Sequence, residues 1–406
     1  MAHVLMLCDT FAPMLGGSEK MLLDLARGFI ATGHNVTVLT PLVRGAEQFD
    51  AGESYRIIRS RAWNRLFQLG GSRRPLVSRI ARFLIVPLLF RQVLAIKHVD
   101  VLLVGHALPL GNVAAAVKRM RPWLKNIVMT YGEDVTMYSR GTRMRGMLTV
   151  ALEAADEITC LTSDSAREID ALESGLDKKV HVIPPAVNDS EPPDPLQVHA
   201  LRQQLGLDGK RVLLTLGRLA PRKGIDVTLR AVKILTGEFP DLVYLVIGEG
   251  SDLPRLQNLA GELGIEQVVR FLGTVQDSRS VYAIADIFCM PNRQMSDGER
   301  EGFGIVFLEA GLAGKPVIAG RSGGAPDAVV HEETGLLVNP ESAEEVAGAI
   351  RRLLGDQVLA SRLGQAGRQR ALTQFTTEQF VSRYLDLLPF SPSALTENTD
   401  STAASR

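Results

Sequence analysis

The sequence predicts an α/β fold of two doubly wound parallel-sheet domains. Three observations predict it. At 406 residues the chain exceeds one ordinary core and suits two domains of roughly 150–200 residues each. In both halves, short apolar runs ending in glycine-bearing turns alternate with helical patterns, as βα units on a parallel sheet require. Between the halves, Pro184 to Pro195 holds five prolines and three acids and reads as a linker. The domains are expected over 1–188 and 189–375.

Apolar residues make up 46% and charged residues 22%, the balance of a soluble globular protein. A net charge of zero argues against a whole-molecule affinity for polyanions. Cys8, Cys160 and Cys289 each lie in an apolar run. An odd count without metal-ligand spacing predicts reduced thiols in a cytoplasmic setting. The opening stretch MAHVLMLCDTFAP is only briefly apolar, lacks a basic leader and reaches Asp9 early, so it reads as a first strand and not a signal peptide. The longest apolar stretch, Phe83 to Phe90, has eight residues and holds Pro87, short of the roughly 20 that a membrane span needs.

Taken in order, His3 to Cys8 is a buried strand followed by a loop with Gly16 and Gly17. Ser18 is a candidate cap for a helix over Glu19 to Ile30. A strand feeding a Gly-Gly turn and then a helix puts bare amides where a phosphate can approach, and a plain tight turn fits equally well. Asn35 to Thr40 is the second strand. From Arg56 to Lys125 there are 14 basic residues against one acid, Asp100, interleaved with Trp63, Leu66, Phe67, Phe83, Leu84 and Ile85. This stretch reads either as a basic amphipathic surface that can rest on an anionic bilayer or as a solvated helix face over an ordinary core. It carries no nucleic-acid reading motif.

Val99 to Val104 is a strand ending in Gly105-His106, and Asn126 to Thr130 is one ending in Tyr131-Gly132-Glu133-Asp134. Ligands of open parallel sheets gather at the carboxyl ends of strands, which makes His106, Tyr131, Glu133 and Asp134 candidate site residues. Each could equally be a loop residue satisfying backbone groups. Strands over Glu157 to Leu161 and Val180 to Ile183 complete the first half.

The pattern restarts with a strand over Arg211 to Leu216 and the loop GRLAPRKGID. Arg218 and Lys223 lie five apart in that loop, bracketed by Gly217 and Gly224. A guanidinium fork and an ammonium point charge converging on one place fit a diphosphate. Further strands are expected over Leu242 to Ile247, Val268 to Leu272, Ile287 to Met290 and Pro316 to Ala319. Ala343 to Leu363 reads as an amphipathic helix pair and Phe380 to Leu388 as a last helix. Residues 391–406 form a polar tail expected to be disordered.

Glu301 and Glu309 sit eight positions apart around the turn Gly302-Phe303-Gly304. A helix beginning near Gly304 puts Glu301 before its N-terminus and Glu309 one to two turns inside. The amides of Phe303, Gly304 and Ile305 then become unpaired donors. The arrangement suits a ligand with hydroxyls at both ends and phosphate between them, such as a sugar nucleotide; two solvated surface charges are the alternative.

The segments GRLAPRKGID, MPNR…EGFGIVFLEAGLAGKPVIAGRSGGAP and TGLLVNP together resemble retaining glycosyltransferases of family 4, which have two Rossmann-like domains in the GT-B fold. The likeness covers the chain to about Leu388. Within the family it is especially similar to bacterial mannosyltransferases acting on phosphatidylinositol mannosides, including the stretches MTYGED and ITCLTSDS. The resemblance implies that Arg218 and Lys223 hold the donor diphosphate and that Glu309 binds the ribose hydroxyls. Glu301 with the amides of Gly302, Phe303 and Gly304 would hold the donor sugar. The base would lie against Leu272, Gly273 and Thr274, and Gly16 with Gly17 would close on the phosphates. Residues 376–390 would cross back onto the first domain. The family commonly has a histidine where this chain has Tyr131, which can donate a hydrogen bond but carries no positive charge.

The expected activity is retaining, metal-independent transfer of a hexosyl unit from a nucleotide diphosphate sugar to an acceptor hydroxyl. GDP-mannose is favoured as donor over UDP-glucose or UDP-N-acetylglucosamine. No cofactor, metal or nucleic acid is expected. A glycan or lipid-linked acceptor, and peripheral contact of 56–125 with the inner face of the cell membrane, are further expectations. Two rivals are a sugar-nucleotide epimerase on the same fold and a catalytically silent partner subunit. An epimerase would convert the donor without acceptor, and a silent subunit would lack part of the set Arg218, Lys223, Glu301 and Glu309, all of which are present.

Overall fold

In a computed structural model, the described residues are all but Leu15, 65–74, Ser174, 188–191, Gln276 and 390–406; the side chains of 75–83 and of Glu133 are also outside the description. The expected polar tail and the middle of the expected linker therefore lie outside the described residues. The chain divides into two compact units, one from Met1 to Pro185 with the segment from Thr377 onward, the other from Ala186 to Thr376.

The first unit holds β1 (His3–Leu7), β2 (Asn35–Pro41), β3 (Arg56–Ser60), β4 (Val101–Val104), β5 (Lys125–Met129), β6 (Glu157–Cys160) and β7 (Val180–Val182). They form a parallel sheet in the order β3-β2-β1-β4-β5-β6-β7. Val4 pairs with Val36 on one side and Val101 on the other, which fixes the register at the centre. Runs such as Val101-Leu102-Leu103-Val104 are buried throughout because helices cover both faces. The order reverses between β1 and β4, so the switch point of this sheet lies at the carboxyl ends of those two strands.

β3 falls inside the stretch read above as a basic surface, and the structure corrects part of that reading. Trp63 and Ile85 are 1% and 4% exposed and belong to the core. Ile85, Leu89 and Val93 form one buried face of the helix Pro75–Ala95, which has Pro87 inside it. Arg59 pairs with Asp50 at 2.7 Å, Lys118 with Asp156 at 2.7 Å and Lys125 with Glu157 at 2.9 Å. The side chains of Arg65, Leu66, Phe67, Arg73, Arg74, Arg79, Arg82 and Phe83 lie outside the described residues. No helix among the described residues is long and apolar enough to cross a membrane.

The first helix spans Gly17–Ala31 and starts two residues earlier than expected. Gly16 is its N-cap, without a side-chain cap, and the Ser18 hydroxyl instead donates to Glu19 Oε2 at 2.9 Å. The last helix, Thr377–Leu385, buries Phe380, Val381 and Tyr384 in this unit. Its Tyr384 hydroxyl meets the Thr159 hydroxyl of β6 at 2.9 Å.

The second unit holds β8 (Arg211–Leu216), β9 (Leu242–Ile247), β10 (Val269–Phe271), β11 (Ile287–Met290), β12 (Val317–Gly320) and β13 (Gly335–Val338), parallel in the order β10-β9-β8-β11-β12-β13. Here the reversal falls between β8 and β11. Leu213 of β8 pairs with Tyr244 and with Ile287, and this centre is packed by Val232, Val246, Ile318 and Ile350. Two C-terminal helices, Ala343–Gly355 and Gln357–Gln374, are capped by Ser342 and Asp356, which accept the amides of Glu345 and Leu359.

Candidate active site

The loops leaving β8 and β11 meet at the switch point of the second sheet. After β8 the chain passes exposed Arg218, a single 3-10 turn Pro221–Lys223, and Gly224 at φ +69°. A Cβ on Gly224 would overlap the carbonyl oxygen of Pro291, just past β11, so only glycine lets the two loops lie this close. The Arg293 amide donates to the Arg222 carbonyl at 2.8 Å, and the Arg293 guanidinium reaches both Asp226 carboxylate oxygens at 3.0 Å. Asn292, fully buried, ties the same loop to the end of β12: its Oδ1 accepts the Gly320 amide and its Nδ2 donates to Ser322.

This backbone framework brings Lys223 Nζ to Glu301 Oε2 at 2.5 Å, with the two side chains only 10% and 13% exposed. Arg222 beside it pairs with Glu299, and its buried Nε has no partner among the described residues. Arg218 shares the loop but points to solvent, and no ion pair engages it among the described residues. Lys223 and Glu301 are thus in direct contact, whereas Arg218 is not drawn into that pair.

Gly304, at φ +88°, caps the helix Ile305–Leu312. Phe303 is buried against Phe375, with ring centroids 5.7 Å apart. The amides of Phe303, Gly304 and Ile305 have no backbone acceptor among the described residues, as helix geometry leads one to expect. Glu301 lies before this N-terminus, and its carbonyl accepts the Gly324 amide at 3.1 Å from the turn after β12. Glu309 lies about 6 Å along the helix from Ile305. It accepts a 2.7 Å hydrogen bond from the Tyr282 hydroxyl. Burial and the Glu309 charge push that phenol well above its ordinary range, so it stays a donor. Leu272, Gly273 and Thr274 follow β10, and the Gly273 carbonyl accepts the Gly248 amide at the end of β9 at 2.7 Å.

Three neighbours of the site escaped the sequence reading: Arg222, Asn292 and Tyr282. Arg222 stands next to Lys223 and could have been named from the pair of adjacent cations. Asn292 follows a buried strand directly, where a polar residue signals a backbone clamp. Tyr282 sits in an apolar helix and gives no sequence signal of its partner.

The first unit gathers a second cluster at its own switch point. His106, after β4, meets Asp9, after β1, at 2.7 Å, and its ring lies 4.6 Å from that of Tyr131. Burial works to lower the His106 pKa, but the Asp9 hydrogen bond and charge, with Asp134 and Glu19 behind them, hold it above the ordinary range. Asp134 accepts the amides of Tyr131 and Val135 at 2.9 Å, while its other oxygen is buried without a partner among the described residues. Burial raises its pKa against the lowering influence of His106 and those amides. The Tyr131 hydroxyl is likewise buried and unpartnered among the described residues, and burial drives its pKa far up. Two buried polar groups without partners beside an imidazole suit the hydroxyls of a polyol. The Glu133 side chain lies outside the described residues. At Gly16, whose backbone is extended, the space a Cβ would take is filled by the Glu19 carboxylate, so this helix N-terminus already faces an anion.

Two family models cover the chain in succession: glycosyltransferase family 4 matches residues 15–191, and glycosyl transferases group 1 matches 197–370. The chain is 31% identical over 396 residues to a GDP-mannose-dependent alpha-(1-6)-phosphatidylinositol monomannoside mannosyltransferase of Mycobacterium tuberculosis, covering 96% of this chain and 98% of that one. It is 29% identical over 406 residues to the Corynebacterium glutamicum enzyme acting on the monoacylated form, with the same coverage. Among solved structures, Anabaena HepE in complex with UDP and glucose superposes with a TM-score of 0.76 at 20% identity, over 96% of this chain and 99% of that one.

Proposed function

Because the chain belongs to glycosyltransferase family 4 and has the GT-B fold, we propose that it carries a hexosyl unit, mannose from GDP-mannose before other sugars, onto an acceptor hydroxyl with retention. That it transfers a glycosyl group from a nucleotide sugar follows from the family; donor, acceptor and stereochemistry are the proposal. Mannose is favoured by the relatives that match along nearly their whole length.

The contact between Lys223 and Glu301 at the switch point of the second sheet carries the reading. Lys223, with Arg218 from the same loop, would take the donor diphosphate. Glu301 and the amides of Gly302, Phe303 and Gly304 would take the sugar hydroxyls. Glu309, steadied by Tyr282, would take the ribose, and Leu272 to Thr274 would border the base. The bond from the anomeric carbon to the diphosphate breaks as the acceptor oxygen bonds to that carbon on the same face. The acceptor proton passes to the departing diphosphate oxygen. The side chains then act by stabilising the leaving charge, which two cations can do without a metal. His106, Tyr131 and Asp134 would bind sugar or acceptor hydroxyls. A lipid-linked acceptor is the class proposed, after the lipids named for the same relatives.

A melting-temperature screen against GDP-, UDP- and ADP-sugars tests the donor, since a ligand of the folded state raises the transition. GDP-mannose should give the largest rise, and a larger rise with a UDP-sugar would replace the donor. Product anomeric configuration, read by NMR, tests retention; an inverted linkage would end the same-face scheme.

A further inference from the structure

Two cations one position apart on the β8 loop meet two acids two positions apart on the β11 loop: Arg222 takes Glu299, and Lys223 takes Glu301. The proposed donor acts on the two pairs differently. A diphosphate carries more negative charge than one carboxylate, so it draws Lys223 off Glu301 as it arrives. Glu301 is then free to accept sugar hydroxyls, but its side chain has lost the partner that fixed it. Arg222 and Glu299 go to no part of the donor, and their pair stays closed. We propose that Arg222 and Glu299 are positioning residues for the transfer, a clasp that keeps Glu301 in place after Lys223 has left it for the diphosphate. The inference rests on the donor site proposed above and says what holds that site together once it is filled.

Glu299 belongs to a turn closed on itself. The Met295 amide donates to the Glu299 carbonyl and the Gly298 amide to the Met295 carbonyl, both at 2.8 Å, and Asp297 accepts the Glu299 amide at 3.0 Å. Holding Glu299 therefore holds the turn, and Glu301 follows two residues later. With the Glu301 carbonyl tied to the Gly324 amide on its other side, the segment is fixed at both ends. The Arg222 end is anchored as well. Its carbonyl accepts the Arg293 amide at 2.8 Å, and it shares with Lys223 the 3-10 turn after β8. The guanidinium, on a side chain 6% exposed, reaches Glu299 through Nη1, while its buried Nε has no partner among the described residues. A buried donor without an acceptor is a cost that core packing does not explain, and aiming the cation at one carboxylate accounts for it.

Titration calorimetry of the full chain with GDP and with GDP-mannose separates positioning from mere support; if a UDP-sugar proves the donor, it and UDP take their place. Glu299→Gln should leave the affinity for GDP within about twofold, since Lys223 still meets the diphosphate. It should weaken GDP-mannose at least about fivefold and lower kcat at least about tenfold, because Glu301 is no longer held against the sugar. Arg222→Met should match it, and the double variant should be no worse than either single one. Arg222→Lys keeps a cation in a contact that uses one nitrogen, and its kcat should stay within about threefold of the parent. Glu299 has a side chain 36% exposed, so its variant stands as the test even where a change at enclosed Arg222 unfolds the chain. Equal weakening of GDP and GDP-mannose, additive losses in the double variant, or a Glu299→Gln kcat within about twofold of the parent would each overturn the clasp and leave the transfer reading standing. Failure of every sugar nucleotide to bind the parent chain would overturn the transfer reading, and the clasp with it.

Discussion

Lys223 and Glu301 are 78 positions apart in sequence and 2.5 Å apart in space. Removing one partner of so enclosed a pair leaves the other without compensation, which typically costs about 3–5 kcal/mol. Lys223→Ala should therefore lower the melting temperature, and it should lower turnover at least about tenfold through loss of a charge-assisted contact to the diphosphate. The two effects can be separated. Lys223→Met combined with Glu301→Gln removes both charges and should recover most of the stability but none of the turnover. Recovery of turnover in that double variant would remove Lys223 from the chemistry. Both residues were legible beforehand because glycines bracket their loops at strand ends. The partner of Tyr282, 27 positions away, was not, since nothing local distinguishes a core tyrosine from one that steadies a carboxylate. Arg218 was legible as a cation but not as an exposed one, because exposure depends on how the loop turns.

His106 gives a pH signature at the same scale. Its pKa is held above the ordinary value, so the fold binds the protonated imidazole more tightly than the unfolded chain does. That contribution is fully present below the unfolded value of about 6.5 and is lost as pH rises through the higher folded value. His106→Gln should thus cost more stability at a pH near 5.5 than near 9, read as the difference in melting temperature from the parent chain. An equal difference at both ends would show that the Asp9 contact does not favour the proton.

At the scale of elements, the positive-φ glycines decide how closely loops approach. Gly224 combines φ +69° with a Cβ position already taken by the Pro291 carbonyl. An alanine there meets a left-handed penalty of about 1–2 kcal/mol and a backbone overlap as well. Gly224→Ala should lower the stability of the second unit by at least about 2 kcal/mol in denaturant titration. Gly237→Ala, where φ is unremarkable and nothing stands within 4 Å of the added carbon, should be neutral or mildly stabilising. Equal effects would mean that the β8 and β11 loops do not need this close approach. Strands with unbroken apolar runs were legible one by one, and so were the turns that end them. β3 was hidden because Arg56 and Arg59 break its apolar pattern, and only the folded chain shows Asp50 neutralising the second of them. The first helix shows the same limit: Ser18 has a capping side chain, yet its hydroxyl turns to Glu19 and Gly16 takes the cap.

At the scale of the whole molecule, the first unit is not a continuous piece of sequence. Its core is closed by a helix that follows the entire second unit: Phe380 and Tyr384 are buried, and Tyr384 reaches Thr159 across 225 positions. Val381 packs on Gly28, where any larger residue would collide with it. Such a closure was expected from the family resemblance alone, because the segment from Thr377 reads locally as an ordinary amphipathic helix. The consequence is a selective dependence. Phe380→Ala deletes an enclosed aromatic ring, a change that typically costs about 3–5 kcal/mol. It should strip hydrogen-exchange protection from β5 and β6 while β8, β9 and β11 keep theirs. A chain ending at Thr376 should go further and leave the first sheet exchanging at near-unfolded rates. The second sheet keeps its strand pairing in both cases, since all six of its strands lie before Thr376 and pair with one another. Loss of protection in β8 and β9 equal to that in β5 and β6 would show instead that the two units unfold as one.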